Sequence, residues 1–128
     1  MTERHADDTF YYDLPVSQNG KYVVISKLCE NWHRSSRQRV FNIDIGKCHG
    51  ETGIDVFDRV GRFAAYDSYI EFELKNNGVY VDGQYCADAF HNGKVRVFYT
   101  KIGIDNPMVD AVLLFQGDLS GTPQVSLK

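Results

Sequence analysis

Apolar positions recur at every second residue in short runs separated by turn-forming residues, and this spacing predicts strands. Phe10, Tyr12 and Leu14 share one face of the first run. Lys21 to Leu28, KYVVISKL, is apolar on both faces, which predicts a strand lying centrally in a sheet. In Val40 to Ile45, alternation sends Phe41, Ile43 and Ile45 inward and Asn42 and Asp44 outward. Tyr69 to Leu74 sets Ile70, Phe72 and Leu74 against Tyr69, Glu71 and Glu73 in the same way. Val79-Tyr80-Val81, KVRVFYT and MVDAVLLF supply the later runs.

Turn chemistry punctuates these runs. Asn19-Gly20 signals a hairpin or tight turn, and Asn76-Asn77-Gly78, Asp82-Gly83 and Asn92-Gly93 signal further turns. Two glycine-rich corners, Gly46 to Gly53 and Gly61, bracket IDVFDRV, which is too short for a convincing helix. No stretch sustains a helical period. The expected fold class is therefore all-β, a jelly-roll-like antiparallel β-sandwich. Roughly seven or eight strands can be counted, against about eight well-formed ones in a complete jelly roll, so the sandwich is expected to be incomplete at one edge. Without a repeat or linker, residues 1–128 read as one domain, with 1–9 a flexible start and 121–128 a C-terminal tail.

Charge narrows the function classes. With 14 basic and 17 acidic residues and a net charge of −3, the chain has no electrostatic footprint for nucleic acid. The one basic cluster, Arg34, Arg37 and Arg39, reads as a solvated loop flank. No segment approaches the ~20 apolar residues of a membrane span, and MTERHADDTF lacks a signal-peptide pattern. Taken as given, the sequence is expected to be cytoplasmic. Cys29, Cys48 and Cys86 are odd in number and lack CxxC spacing, so neither a disulfide framework nor a zinc ribbon is indicated. Free thiols in a reducing compartment are expected; one disulfide and a spare thiol is the alternative.

Enzyme signatures are missing: there is no GxSxG elbow, phosphate-binding glycine loop or HExxH. The expectation is a non-enzyme without cofactors. Glu71 and Glu73 alternate onto an outer, solvated face. Cys48 and His49 would diverge in a strand, which argues against zinc. Asp55 and Asp58 have calcium-type oxygens, but pairing of Asp58 with Arg59, or a turn cap, is the simpler reading.

What remains is an aromatic binding surface. The stretch LCENWHRSSR holds the only tryptophan, flanked by polar residues as a loop would be. Sugars lay apolar C–H faces on aromatic rings, while their hydroxyls need fixed donors and acceptors. Glu30, Asn31, Trp32 and His33 offer that mixture, and so do Asp105 and Asn106, provided both loops leave the same end of the sandwich. Trp32 as a lid on the core is the competing reading.

The segments QRVFNIDI, GIDVFDRVG and GIDNPMVDAVLLFQGDLSGTP, preceded by TERHADDTFYYDLPVSQNGKYVVISKLCE, resemble the malectin family. The likeness runs from Thr2 to Val125, with a small insertion near Cys86 to Asn92. It implies a β-sandwich whose partner is a glucose-containing oligosaccharide or N-glycan. It matches Trp32 and His33 to a ligand-binding tyrosine–phenylalanine pair, His5 to a ligand tyrosine and Asp105 to a ligand aspartate. Histidine replaces an aromatic at positions 5 and 33, which reduces stacking surface but keeps hydrogen-bonding capacity. The family's domain also has upstream strands, with another ligand tyrosine, that this sequence does not contain. Two functions follow: a glycan-binding module, placed in the endoplasmic reticulum lumen if the chain is a piece of a malectin-type protein, or a cytosolic interaction module whose protein partner supplies the missing strands.

Overall fold

Alternation builds two antiparallel sheets, packed face to face, in a computed structural model that describes residues 9–29, 40–55, 65–102, 109–118 and 120. Ten strands follow in chain order: β1 (Thr9–Pro15), β2 (Gly20–Cys29), β3 (Val40–Ile45), β4 (Cys48–Asp55), β5 (Ala65–Lys75), β6 (Gly78–Val81), β7 (Gln84–Tyr85), β8 (Phe90–His91), β9 (Lys94–Lys101) and β10 (Ala111–Gln116). The first sheet runs β1-β9-β3-β4, with β8 on β9; the second runs β10-β2-β5-β6-β7. Its architecture is the all-β sandwich the sequence predicts.

The inward faces also match the pattern. Phe10, Leu14, Phe41, Ile43, Ile45, Val95, Val97 and Tyr99 meet Tyr22, Val24, Leu28, Ile70, Phe72, Leu74 and Val79 in one buried cluster. β2 is central, between β10 and β5, and so Val23 and Ile25 are buried although they alternate away from that cluster. In register, Val23 sits between Phe115 and Glu71, and Ile25 between Leu113 and Tyr69. Among the described residues β10 pairs on one side only.

Three hairpins close on the predicted turn residues. Asn76-Asn77, Asp82-Gly83 and Asn92-Gly93 all have positive φ at both positions, the backbone that two-residue turns between twisted strands demand. Asn19-Gly20 differs, because it carries the chain from the first sheet to the second. There the Tyr22 hydroxyl donates to Gln18 O (2.6 Å) and accepts from Gln18 N (3.2 Å), which holds the crossover.

Two sequence expectations are corrected. The stretch read as a glycine corner is strand β4, in which Gly50 leaves room for a close approach of the sheets. A Cβ there would lie 2.5 Å from Ile70 Cδ1 and 2.8 Å from Ile43 O. The expectation of free thiols also fails at two positions: Cys48 of β4 and Cys86, just past β7, form a disulfide across 38 residues. Alternation turns Cys48 inward toward the second sheet, while His49 faces solvent, so the pair meets by packing rather than by spacing.

Candidate functional site

The register decides which chain ends gather together. In the first sheet Thr9 pairs with Thr100, Phe41 with Lys101 and Val40 with Asp55. In the second, Ala111 pairs with Lys27 and Cys29 with Ala65. The start of β1, the end of β2, the start of β3, the end of β4, the start of β5, the end of β9 and the start of β10 thus share one end of the sandwich. The Cys48–Cys86 disulfide lies at the opposite end, next to the Ile45–Cys48 pair.

Hydrogen bonds tie the roots of the connecting segments at this end. Ile102 N donates to Val40 O at 2.8 Å, joining the exit of β9 to the entry of β3. Asp110 N donates to Lys27 O at 2.9 Å, joining the entry of β10 to the exit of β2. Just beneath, Val109 is buried.

A set of polar pairs stiffens the same end. Glu51 of β4 accepts from both the Tyr66 and the Ser68 hydroxyls of β5, a clamp between the sheets. Ser26 Oγ and the Tyr99 hydroxyl lie 2.9 Å apart in the interior. Burial pushes the Tyr99 phenol well above its ordinary pKa, so it stays neutral. Tyr99 is itself stacked on Phe10 at 5.2 Å and edge-on to Tyr12 at 5.9 Å. On the outer side of the second sheet, Lys27 Nζ bonds both carboxylate oxygens of Asp67, at 3.1 and 3.2 Å. These carboxylates and hydroxyls satisfy one another, so their work is to hold the frame.

The five sequence-predicted site residues attach to this frame but lie outside the described residues. His5 belongs to the segment that enters β1; Glu30, Trp32 and His33 belong to the segment between β2 and β3; Asp105 belongs to the segment between β9 and β10. Asp58 and the basic cluster at Arg34, Arg37 and Arg39 also lie outside the described residues. Asp55 is buried, and among the described residues no three His, Cys, Asp or Glu side chains cluster as a metal site. Cys48 is committed to its disulfide, which removes the zinc thiolate considered with His49. Among the described residues, no helix is long and apolar enough to cross a membrane.

Sequence reasoning missed the framing residues. Ser26, a hydroxyl inside an apolar run, was a readable sign of a buried polar partner. Glu51 had no sign, because its strand was hidden by Gly50 and Gly53.

Comparison with known proteins places this architecture. The malectin domain model matches residues 1–112. Malectin-B of Xenopus laevis is 34% identical over 125 residues, covering 98% of this chain and 44% of that protein. Human malectin is 30% identical over 125 residues, covering 98% of this chain and 42% of its own length. The chain therefore spans less than half the length of these relatives. Among solved structures, the ANXUR1 extracellular domain from Arabidopsis thaliana superimposes with a TM-score of 0.65 at 16% identity, covering 86% of this chain and 27% of that one. The ANXUR2 extracellular domain from the same plant gives a TM-score of 0.65 at 14% identity, covering 91% of this chain and 32% of that one. Those two share the fold. With a family match over most of its length, the chain belongs to the malectin domain family.

Proposed function

We propose that this domain is a non-catalytic carbohydrate-binding module that takes glucose-containing glycans at the loop end of the sandwich. The observation that supports it is topological. The three segments carrying His5, Glu30, Trp32, His33 and Asp105 all attach to one end, and the bonds Ile102–Val40 and Asp110–Lys27 tie two of them together at their roots. The condition that these loops leave from a common end is met by their anchors. In this reading Trp32 supplies the flat apolar face for a pyranose ring. Asp105 and Glu30 accept hydrogen bonds from sugar hydroxyls, and His33 and His5 add donors or acceptors where the family has aromatics. Membership of the malectin family supports the ligand class.

The Cys48–Cys86 disulfide supports an oxidising compartment for the domain. The test is a fluorescence titration of the single tryptophan with glucose-containing disaccharides. Quenching that disappears in Trp32→Ala and in Asp105→Ala is expected. No response at millimolar sugar would sink the reading.

One observation favours a second reading, an interaction module completed by a protein partner. β10 pairs only with β2 among the described residues, and Leu113 on it is 41% exposed. An unpaired edge of this kind is a template for strand addition. This reading expects the isolated chain to self-associate; a monomer by light scattering that unfolds cooperatively would reject it.

A further inference from the structure

The outward side chains of the first sheet form a continuous row across four strands. Tyr11 of β1 pairs with Phe98 of β9, Phe98 with Asp44 of β3, and Asp44 with His49 of β4. Directly paired residues point to the same face, so two aromatic rings, a carboxylate and an imidazole stand side by side. The rings of Tyr11 and Phe98 lie 5.6 Å apart at 60°. Tyr11 is 42% exposed.

This row is held in place. Arg96 donates to both carboxylate oxygens of Asp13, at 2.9 and 3.1 Å, and its guanidinium lies 4.0 Å from the centre of the Tyr11 ring. His49 Nδ1 and Asp44 Oδ1 are 3.0 Å apart. One step toward the loop end, Thr9 and Thr100 form the next pair, with their hydroxyls 3.5 Å apart. A cleft of about 330 Å³ opens between Thr9, Thr100, Phe98, Asp44, His49 and Lys47. That is the lower end of the range for small-molecule sites, roughly 300–1,000 Å³.

The chemistry of the lining selects its ligand. An apolar ligand would cover Asp44 and Lys47 without pairing them, which costs more than the contact returns. A polyanion would meet the Asp44 carboxylate in the lining, on a chain of net charge −3. A neutral, hydroxylated ring meets neither objection: its C–H face lies against Phe98, Asp44 accepts from its hydroxyls, and Lys47 donates to them. We infer that the outer face of the first sheet is a second saccharide subsite, which takes a pyranose unit further along an oligosaccharide than the one at the loop end. Thr9 and Thr100 connect the two regions, because the segments 1–8 and 103–108 attach beside them. This subsite rests on the carbohydrate-binding reading of the domain but on no particular loop residue.

The test titrates the full chain with a glucose-containing disaccharide and with a linear pentasaccharide of the same linkage, following affinity by calorimetry and the Tyr11, Phe98 and His49 signals by NMR. The pentasaccharide is expected to shift all three signals. Phe98→Ser is expected to weaken pentasaccharide binding by about tenfold and to leave the disaccharide unchanged. Asp44→Ala, an outward polar position, is expected to act in the same direction without disturbing the core. Unmoved signals at saturating pentasaccharide, or equal affinities for both variants and the parent chain, overturn the subsite. If the disaccharide binds and is lost in Trp32→Ala while the sheet signals stay still, the loop reading stands and the subsite falls. If the sheet signals respond while Trp32→Ala changes nothing, the subsite stands and the loop reading falls.

Discussion

Cys48 and Cys86 are bonded across the two sheets, 38 residues apart, at the end of the sandwich remote from the loops. The link closes a long stretch of chain, and cross-linking of a loop this size removes about 4 kcal/mol worth of unfolded-state entropy at 25 °C. Replacing both residues by alanine is expected to lower unfolding free energy by about 3–4 kcal/mol. Equilibrium denaturation of the Cys48→Ala/Cys86→Ala chain, with and without reductant on the parent, measures it. Equal stability of oxidised and reduced protein would count against the bond.

The buried contact between Ser26 and Tyr99 gives a second expectation, with a pH signature. Tyr99→Phe leaves the Ser26 hydroxyl buried without its partner, at an expected cost of about 1–2 kcal/mol near neutral pH. The sign at alkaline pH follows from the raised pKa of the folded phenol. An unfolded tyrosine ionises near pH ~10, so the contribution of Tyr99 is complete below that pH and is lost as pH rises toward the folded value. Denaturation curves of the parent and Tyr99→Phe are therefore expected to converge as pH is raised from about 8 to about 11. A gap that stays constant over that range would show that Tyr99 is not the group responsible.

Much of the fold could be read locally. Asn-Asn, Asp-Gly and Asn-Gly made three turns readable because the required positive φ is a property of the turn residues themselves. Asn19-Gly20 carries the same local signal, yet it crosses between sheets. A dipeptide marks a turn and says nothing about which strand receives the chain. β4 was unreadable for the opposite reason: Gly50 breaks the alternation to make room for Ile70, a residue of the other sheet. The Cys48–Cys86 bond and the clamp of Glu51 on Tyr66 and Ser68 also join distant residues, and no spacing rule sees them. For the candidate site, residue chemistry suggested Trp32 and Asp105 as partners, while the shared end of their anchors required the strand register.

Asp13 and Arg96 give an acid-side expectation on the exposed face of the first sheet. Hydrogen bonding from Arg96 holds the Asp13 carboxyl below its ordinary pKa. A depressed folded pKa means that the contribution is present above the unfolded value of about 3.9 and disappears as pH falls through the folded one. The stability difference between the parent and Asp13→Asn is thus expected at pH 6 and to vanish in strong acid, once the folded carboxyl is protonated as well. It is also expected to shrink in high salt, since the pair is partly open to solvent. A difference that persists unchanged through strong acid would assign the effect to the placement of Arg96 over Tyr11 instead.

Gly46 and Gly53 separate two reasons for a glycine. Both have positive φ, +55° and +63°, so alanine at either position meets the left-handed backbone penalty of about 1–2 kcal/mol. Around Gly53 there is open space, and its N–H donates to Asn42 Oδ1 at 2.8 Å, a bond that alanine keeps. At Gly46 an added Cβ would lie 2.5 Å from Ala87 O and 2.6 Å from Ala89 Cβ. Neither neighbour can swing aside: one is backbone, and the other is the buried methyl of a residue whose carbonyl accepts from Arg96 N. Gly46→Ala is therefore expected to cost about 1–3 kcal/mol more than Gly53→Ala, the range for overpacking a tight interior. Paired denaturation of the two variants reads the difference directly. Equal losses would mean that the turn after β3 relaxes around the methyl, and that the packing of residues 87–89 against it is looser than these distances require.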